Sequence, residues 1–160
     1  MSVCGDTRFD RVLEVQRQAR LLPIIDEFVG DGKQLILVAG STWPPDEDIL
    51  IPYFNEHPEI KLIIAPHEIH RAHLMDIASK LQRPSVRMSE TNDQNIADKD
   101  CLVIDSFGLL SSIYRYGQVA YIGGGFGDGI HNTLEAAVYG LPTLFGPRYH
   151  KYKEAIDLIE

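Results

Sequence analysis

Between Gly123 and Glu135 the sequence Gly-Gly-Gly-Phe-Gly-Asp-Gly-Ile-His-Asn-Thr-Leu-Glu gathers residue types suited to holding an anion and a sugar. Glycines at 123, 124, 125, 127 and 129 let backbone amides come close to a ligand. A helix beginning near Asn132 would aim its unpaired amides and positive dipole end at the same place, an arrangement that suits a phosphate. A flexible glycine-rich turn is the competing reading. The spacing satisfies neither GxGxxG nor GxxxxGK[ST], which argues against those two nucleotide-binding patterns. Asn132-Thr133-Leu134-Glu135 reads equally as a capping box and as a place where the Glu135 carboxylate accepts hydrogen bonds from both hydroxyls of a ribose. His131 either donates to the phosphate or is a histidine of the loop surface.

Other polar groups are candidates for the same crevice. Pro66-His67-Glu68-Ile69-His70-Arg71 carries two histidines and a carboxylate, but not at the two-histidine helix spacing of a zinc hydrolase, so no metal is expected. His67 is read as a base or phosphate contact, against an ordinary loop-to-helix turn. Ser106-Phe107-Gly108 is either a helix start capped by Ser106 or a loop whose amides face the ligand. Ser41 and Thr42 are further candidates for phosphate or sugar contacts, as are Gly124, Gly125 and His131. Gly-x-Ser-x-Gly is absent, so Ser41 has no nucleophile-elbow setting and hydrolase chemistry has no support. Trp43 and Pro44-Pro45 are read as shaping the turn that follows. Cys4 and Cys101 form no ligand set and read as reduced thiols.

Elements that would position these residues follow from hydrophobic patterning. Short apolar runs at 34–39, 61–65, 101–104, 119–122 and 143–145 each lead into a polar or glycine-containing loop. Helical stretches are expected near 71–81, 109–116 and 132–139, with a final segment from Tyr149. A helix or helix pair over 9–28 is interrupted or kinked by Pro23. Residues 88–100, polar and rich in Asn and Asp, read as a surface connection. Alternating strands and helices imply an α/β domain, an open, mostly parallel Rossmann-like sheet with helices on both faces. Ligands of such sheets collect outside the carboxyl ends of the strands, where all the motifs fall.

The 160 residues are 44% hydrophobic and 24% charged, as suits one globular domain. Fifteen Lys and Arg against 23 Asp and Glu give a formal charge of -8, which disfavours nonspecific nucleic-acid binding and requires any anion to be held locally. The sequence has neither an apolar run of transmembrane length nor a signal-peptide pattern. The chain therefore reads as soluble and cytoplasmic.

Gly5-Asp6-Thr7-Arg8-Phe9-Asp10, Gly40-Ser41-Thr42, Pro66-His67-Glu68, Asp105-Ser106-Phe107-Gly108, Gly123-Gly124-Gly125 and His131-Asn132-Thr133-Leu134-Glu135-Ala136-Ala137 together resemble the 3-deoxy-D-manno-octulosonic acid (Kdo) transferases of lipopolysaccharide synthesis. The motif order matches over nearly the whole chain. The resemblance implies the C-terminal half of a two-domain GT-B glycosyltransferase, with 1–10 at the interdomain linker and 11–160 as a CMP-Kdo donor domain that stops before its closing helices. It places Pro66, His67, Phe107, Gly108, Leu109, Asn132, Thr133, Leu134 and Glu135 on the CMP contacts. Arg8 falls on a basic position that offsets charge in the transition state. The chain departs from the family where Pro66-His67-Glu68 replaces Pro-Arg-His and Gly108-Leu109-Leu110 replaces Gly-Glu-Leu.

The resemblance further implies an inverting, metal-independent transfer of Kdo to a lipid A precursor at the cytoplasmic face of the bacterial inner membrane. The general-base glutamate, the acceptor site and the membrane anchor would belong to the N-terminal half, so the isolated fragment is expected to be soluble and inactive. Two rival readings are a domain of another GT-B enzyme using a UDP-sugar, whether a transferase or a 2-epimerase, and a noncatalytic nucleotide-binding module.

Overall fold

A computed structural model describes residues 7–159 of the chain. Two helices come first, α1 (Thr7–Arg17) and α2 (Pro23–Val29). Pro23 occupies the first turn of α2, where its missing N–H leaves no helical bond unmade, so it starts a helix instead of kinking one. Next come β1 (Leu35–Thr42), α3 (Pro44–Glu56), β2 (Ile60–Pro66) and α4 (Arg71–Lys80). They are followed by β3 (Ser85–Arg87), a 3-10 turn at Met88–Glu90, β4 (Cys101–Val103), α5 (Leu110–Ile113) and a second 3-10 turn at Tyr114–Tyr116. The chain closes with β5 (Val119–Ile122), α6 (Leu134–Ala137), β6 (Thr143–Phe145) and α7 (Lys153–Ile159).

All five strand pairings are parallel, in the order β3-β4-β2-β1-β5-β6. Side-chain alternation sends Ile36 and Val38 of β1 to one face, with Ile63, Leu102, Ala120 and Ile122 beside them. Residues of α2, α5 and α6 cover that face, including Ile25, Phe28, Ile113 and Ala136. Leu37 and Ala39 join Leu62, Ile64 and Tyr121 on the other face, under Leu50, Ile51 and Phe54 of α3 and Leu74 and Ile77 of α4. Covering both faces removes nearly every β1 and β2 side chain from water, which is why those strands read as continuous apolar runs.

From β1 the chain winds outward through β2 to the β4 and β3 edge, then crosses back so that β5 pairs with the opposite side of β1. The carboxyl ends of β1 and β5 thus flank the topological switch point of the sheet. Register aligns these ends: Gly40 pairs with Ala65 and Ile122, and the Gly123 amide donates to the Gly40 carbonyl at 2.9 Å. Strand β1 also runs three residues further than its apolar core suggests, because Gly40-Ser41-Thr42 continues the pairing to Pro66 through an irregularity at Ser41.

Two elements differ from the sequence expectation in ways that matter for the site. Pro44-Pro45 does more than shape a turn, since it opens the 13-residue helix α3, at whose first turn a missing N–H is harmless. The helix expected over 132–139 is only four residues long, Leu134–Ala137, so its dipole contributes little to an anion site.

Candidate functional site

Two buried carboxylates at the start of α3 organise the switch point. Asp46, 1% exposed, accepts hydrogen bonds from three separate segments: the Trp43 amide at 2.8 Å, the Tyr121 hydroxyl at 2.6 Å and the Gly124 amide at 3.0 Å. Burial and the bond to Asp46 push the Tyr121 phenol up, so it remains a proton donor. Glu47 accepts from the Thr42 hydroxyl at 2.8 Å and meets His73 Nε2 at 2.8 Å, while His73 Nδ1 donates to the Glu68 carbonyl at 2.7 Å. The predicted contact Thr42 is therefore fully buried, with its hydroxyl committed to Glu47.

Glycine allows the loop after β5 to pack backbone against backbone. A Cβ on Gly125 would stand 2.6 Å from the Gly146 Cα, and one on Gly123 would run into the Ser41 carbonyl. Ser41 itself adopts φ +53°, a left-handed conformation that is strained for a residue with a side chain. The amides of Gly123, Gly124, Gly127 and Gly129 are hydrogen-bonded inside the protein. The glycines thus place the loop, and the groups around it define the cavities.

One cavity, of about 340 Å³, lies at the ends of β1, β2 and β4 and is lined by Ser41, Pro66, His67, Ser106, Phe107 and Gly108. Phe107 is 74% exposed, a bare aromatic face beside it, and Gly108 supplies the positive φ that turns the chain there. Leu109 is half-buried against the core instead and precedes α5 as its N-cap; Ser106 does not cap that helix. Asp105, behind this loop, is held by the Ser89 amide and hydroxyl.

A second cavity, of about 620 Å³, is lined by His131, Asn132, Leu134 and Glu135 together with Arg11 of α1. The capping box is not formed: Thr133 occupies the N-cap without a side-chain bond, and the Asn132 side-chain oxygen accepts from the Leu134 amide at 3.0 Å as an Asx turn. Among the described residues no hydrogen bond or ion pair engages Glu135, and burial shifts its carboxyl up. Thr133 is fully buried and its hydroxyl has no partner among the described residues. A third cavity of about 350 Å³ lies between Trp43 and the glycine loop, with His131 on its wall.

Three rings link these spaces. Trp43 Nε1 donates to His131 Nε2 at 3.0 Å with the two rings 14° from coplanar. His67 lies over both, its centroid 4.4 Å from Trp43 and 4.6 Å from His131. Trp43, Asp46, Tyr121 and Arg11 escaped the sequence reading. The Pro-Pro pair after Trp43 marks a backbone turn, and nothing local marks the ring's bond to His131.

Of the predicted residues, Ser41, Pro66, His67, Phe107 and Gly108 line one side of the switch point and His131, Asn132, Leu134 and Glu135 the other, whereas Thr42, Leu109, Gly124, Gly125 and Thr133 line none of these three cavities. Arg8 falls in the first turn of α1, but its side chain lies outside the described residues, as do residues 1–6 of the expected linker. Glu68, His70 and His73 place ligand-type atoms within 4.8 Å of one another. Both His73 nitrogens already face oxygen partners, however, so in this arrangement the ring offers no free lone pair to a cation. No helix among the described residues is long and apolar enough to cross a membrane.

An all-parallel doubly covered sheet with polar loops at its switch point defines the chain as an α/β domain of the kind found as the C-terminal half of GT-B glycosyltransferases. No family model matches the chain. Its fold is similar to that of the crystal structure of the C-terminal CMP-Kdo binding domain of WaaA from Acinetobacter baumannii, with a TM-score of 0.67 at 25% identity over 93% of this chain and 75% of that one. The chain is a relative of the 3-deoxy-D-manno-octulosonic acid transferases. It is 31% identical to that of Rickettsia prowazekii over 72% of this chain and 26% of the relative. With that of Aquifex aeolicus it shares 29% identity over 98% of this chain and 41% of the relative. The chain thus spans less than half the length of these curated relatives.

Proposed function

We propose that this chain is the donor-binding domain of an inverting glycosyltransferase that moves Kdo from CMP-Kdo to a lipid A precursor in lipopolysaccharide synthesis. Residues 11–160 form the donor domain and 1–10 the linker. The observation that carries the reading is the crevice: motifs distant in sequence line two cavities joined by the His67–His131 stack, at the sheet position where nucleotides bind. Relationship to a domain whose solved structure is described as CMP-Kdo binding supports the same ligand.

In this reading the cytosine lies against Phe107, His67 and the backbone of Pro66, Gly108 and Leu109. The ribose meets Glu135, whose unpaired carboxylate suits two vicinal hydroxyls. Asn132, Thr133 and Leu134 complete the CMP contacts, and Ser41, Gly124, Gly125 and His131 lie toward the phosphate or sugar. Arg8 offsets charge as CMP departs, a role that a permanently charged guanidinium suits. The transfer runs without a metal. A glutamate of an N-terminal half serves as general base, and that half carries the acceptor and the contact with the cytoplasmic face of the inner membrane.

Titration with CMP and with UDP, followed by calorimetry, tests the donor. CMP is expected to bind more tightly. Tighter UDP binding would sink the Kdo reading in favour of a UDP-sugar enzyme. Binding of CMP by a gene product lacking any second domain with a candidate base would favour a noncatalytic module.

A further inference from the structure

Tryptophan N–H can only donate, so the 3.0 Å bond from Trp43 Nε1 requires a lone pair on His131 Nε2. In a neutral imidazole the proton must then sit on Nδ1. The ring's surroundings enforce the same orientation. Its Cδ2 edge abuts Gly124, where a Cβ would come within 3.2 Å, and Nε2 faces Trp43, so the Nδ1 edge points away from both. Nδ1 has no hydrogen-bond partner among the described residues, and His131 lines both cavities that flank it.

We infer that Trp43 is a positioning residue: by donating to Nε2 it locks His131 into the Nδ1–H tautomer and aims that one donor at a phosphate oxygen of the bound nucleotide. The inference rests on the proposed donor site for its ligand, but the tautomer is a property of the ligand-free chain. His67, stacked over both rings, keeps the pair in plane. Burial and the neighbouring His67 hold the His131 pKa below its usual value, so the group offers a directed N–H in place of a diffuse charge. A neutral, preset donor loses no orientational freedom when the anion arrives, which is the advantage of preorganisation.

Nitrogen-detected NMR of the full chain reads the tautomer directly. The wild type is expected to show His131 protonated on Nδ1, and Trp43→Phe, which keeps the ring but removes the N–H, should redistribute the proton between the two nitrogens. Protonation on Nε2 in the wild type, or no change in Trp43→Phe, would overturn the inference. Binding supplies an independent readout through the ratio of CMP to cytidine affinity, which isolates the phosphate. His131→Asn keeps a donor near the Nδ1 position and should retain that ratio. His131→Gln keeps only the position facing Trp43, and the ratio should fall on the order of tenfold, the worth of one hydrogen bond to a charged group. Equal ratios in the two variants would refute the phosphate contact. If CMP does not bind the wild type at all, the donor reading fails, while the tautomer measurement still decides the role of Trp43.

Discussion

At the scale of single residues, Asp46 and Glu135 have opposite characters. Asp46 satisfies donors from β5, the glycine loop and its own helix start, so Asp46→Ala would strand a hydroxyl and two amides. The expected loss is on the order of 2–4 kcal/mol of unfolding free energy, read from denaturant titration. Glu135 has no such partners, and burial raises its pKa. A raised carboxyl pKa means that the ionised form is disfavoured by folding, a burden that grows as pH rises through the folded value. Glu135→Gln should therefore raise the thermal midpoint at neutral pH while weakening CMP binding; a lower midpoint with unchanged affinity would return the residue to a structural role. His131 has the reverse sign. Its lowered pKa means the unfolded chain takes up the proton first, so stability is unaffected above about pH 6.5 and falls as the solution is acidified through that value. The titratable and charged groups that line the same cavities as the ring or act on it are His67, Asp46, Arg11, Glu135, Asp128 and Glu154. An unfolding midpoint that falls less on acidification in His131→Asn than in the wild type would confirm the assignment.

Among the elements, the central strands β1 and β2 carry the deepest burial and pair on both sides, while β3 and β6 are three-residue edges. Amide hydrogen exchange should be slowest at Ile36–Ala39 and Leu62–Ile64 and fastest along the edges. Equal protection across the sheet would count against this hierarchy. These strands were legible in the sequence because double burial writes a continuous apolar run, and α4 and α5 because helical periodicity follows them. The edge strand β3 was not, since three half-buried residues in a polar neighbourhood carry too short a pattern to detect. The clustering of the site motifs was legible for a topological reason: parallel strands point every following loop to one end. What remained hidden were groups that act through long-range packing. Nothing local marks Asp46 as the partner of Tyr121, 75 positions away, or Trp43 as the partner of His131, 88 positions away. Conversely, Asn132-Thr133-Leu134-Glu135 has capping-box spacing, but a helix of one turn leaves that local preference little to stabilise.

Taken whole, the molecule has two apolar layers that share one sheet, so neither can melt without exposing the other's strands. Unfolding monitored by far-ultraviolet circular dichroism should coincide with that monitored by the fluorescence of Trp43, the sole tryptophan. An earlier fluorescence transition would mean that the crevice opens ahead of the sheet. The contact between Gly125 and Gly146 has a consequence of a different kind. Because two backbones meet there without side chains, neither position can be altered singly without separating the glycine loop from the end of β6. Inherited variation is thus barred from both positions. On the same loop, variation falls instead to Asp128, an exposed side chain beside the Trp43 cavity, because the Phe126 ring itself packs on Gly146.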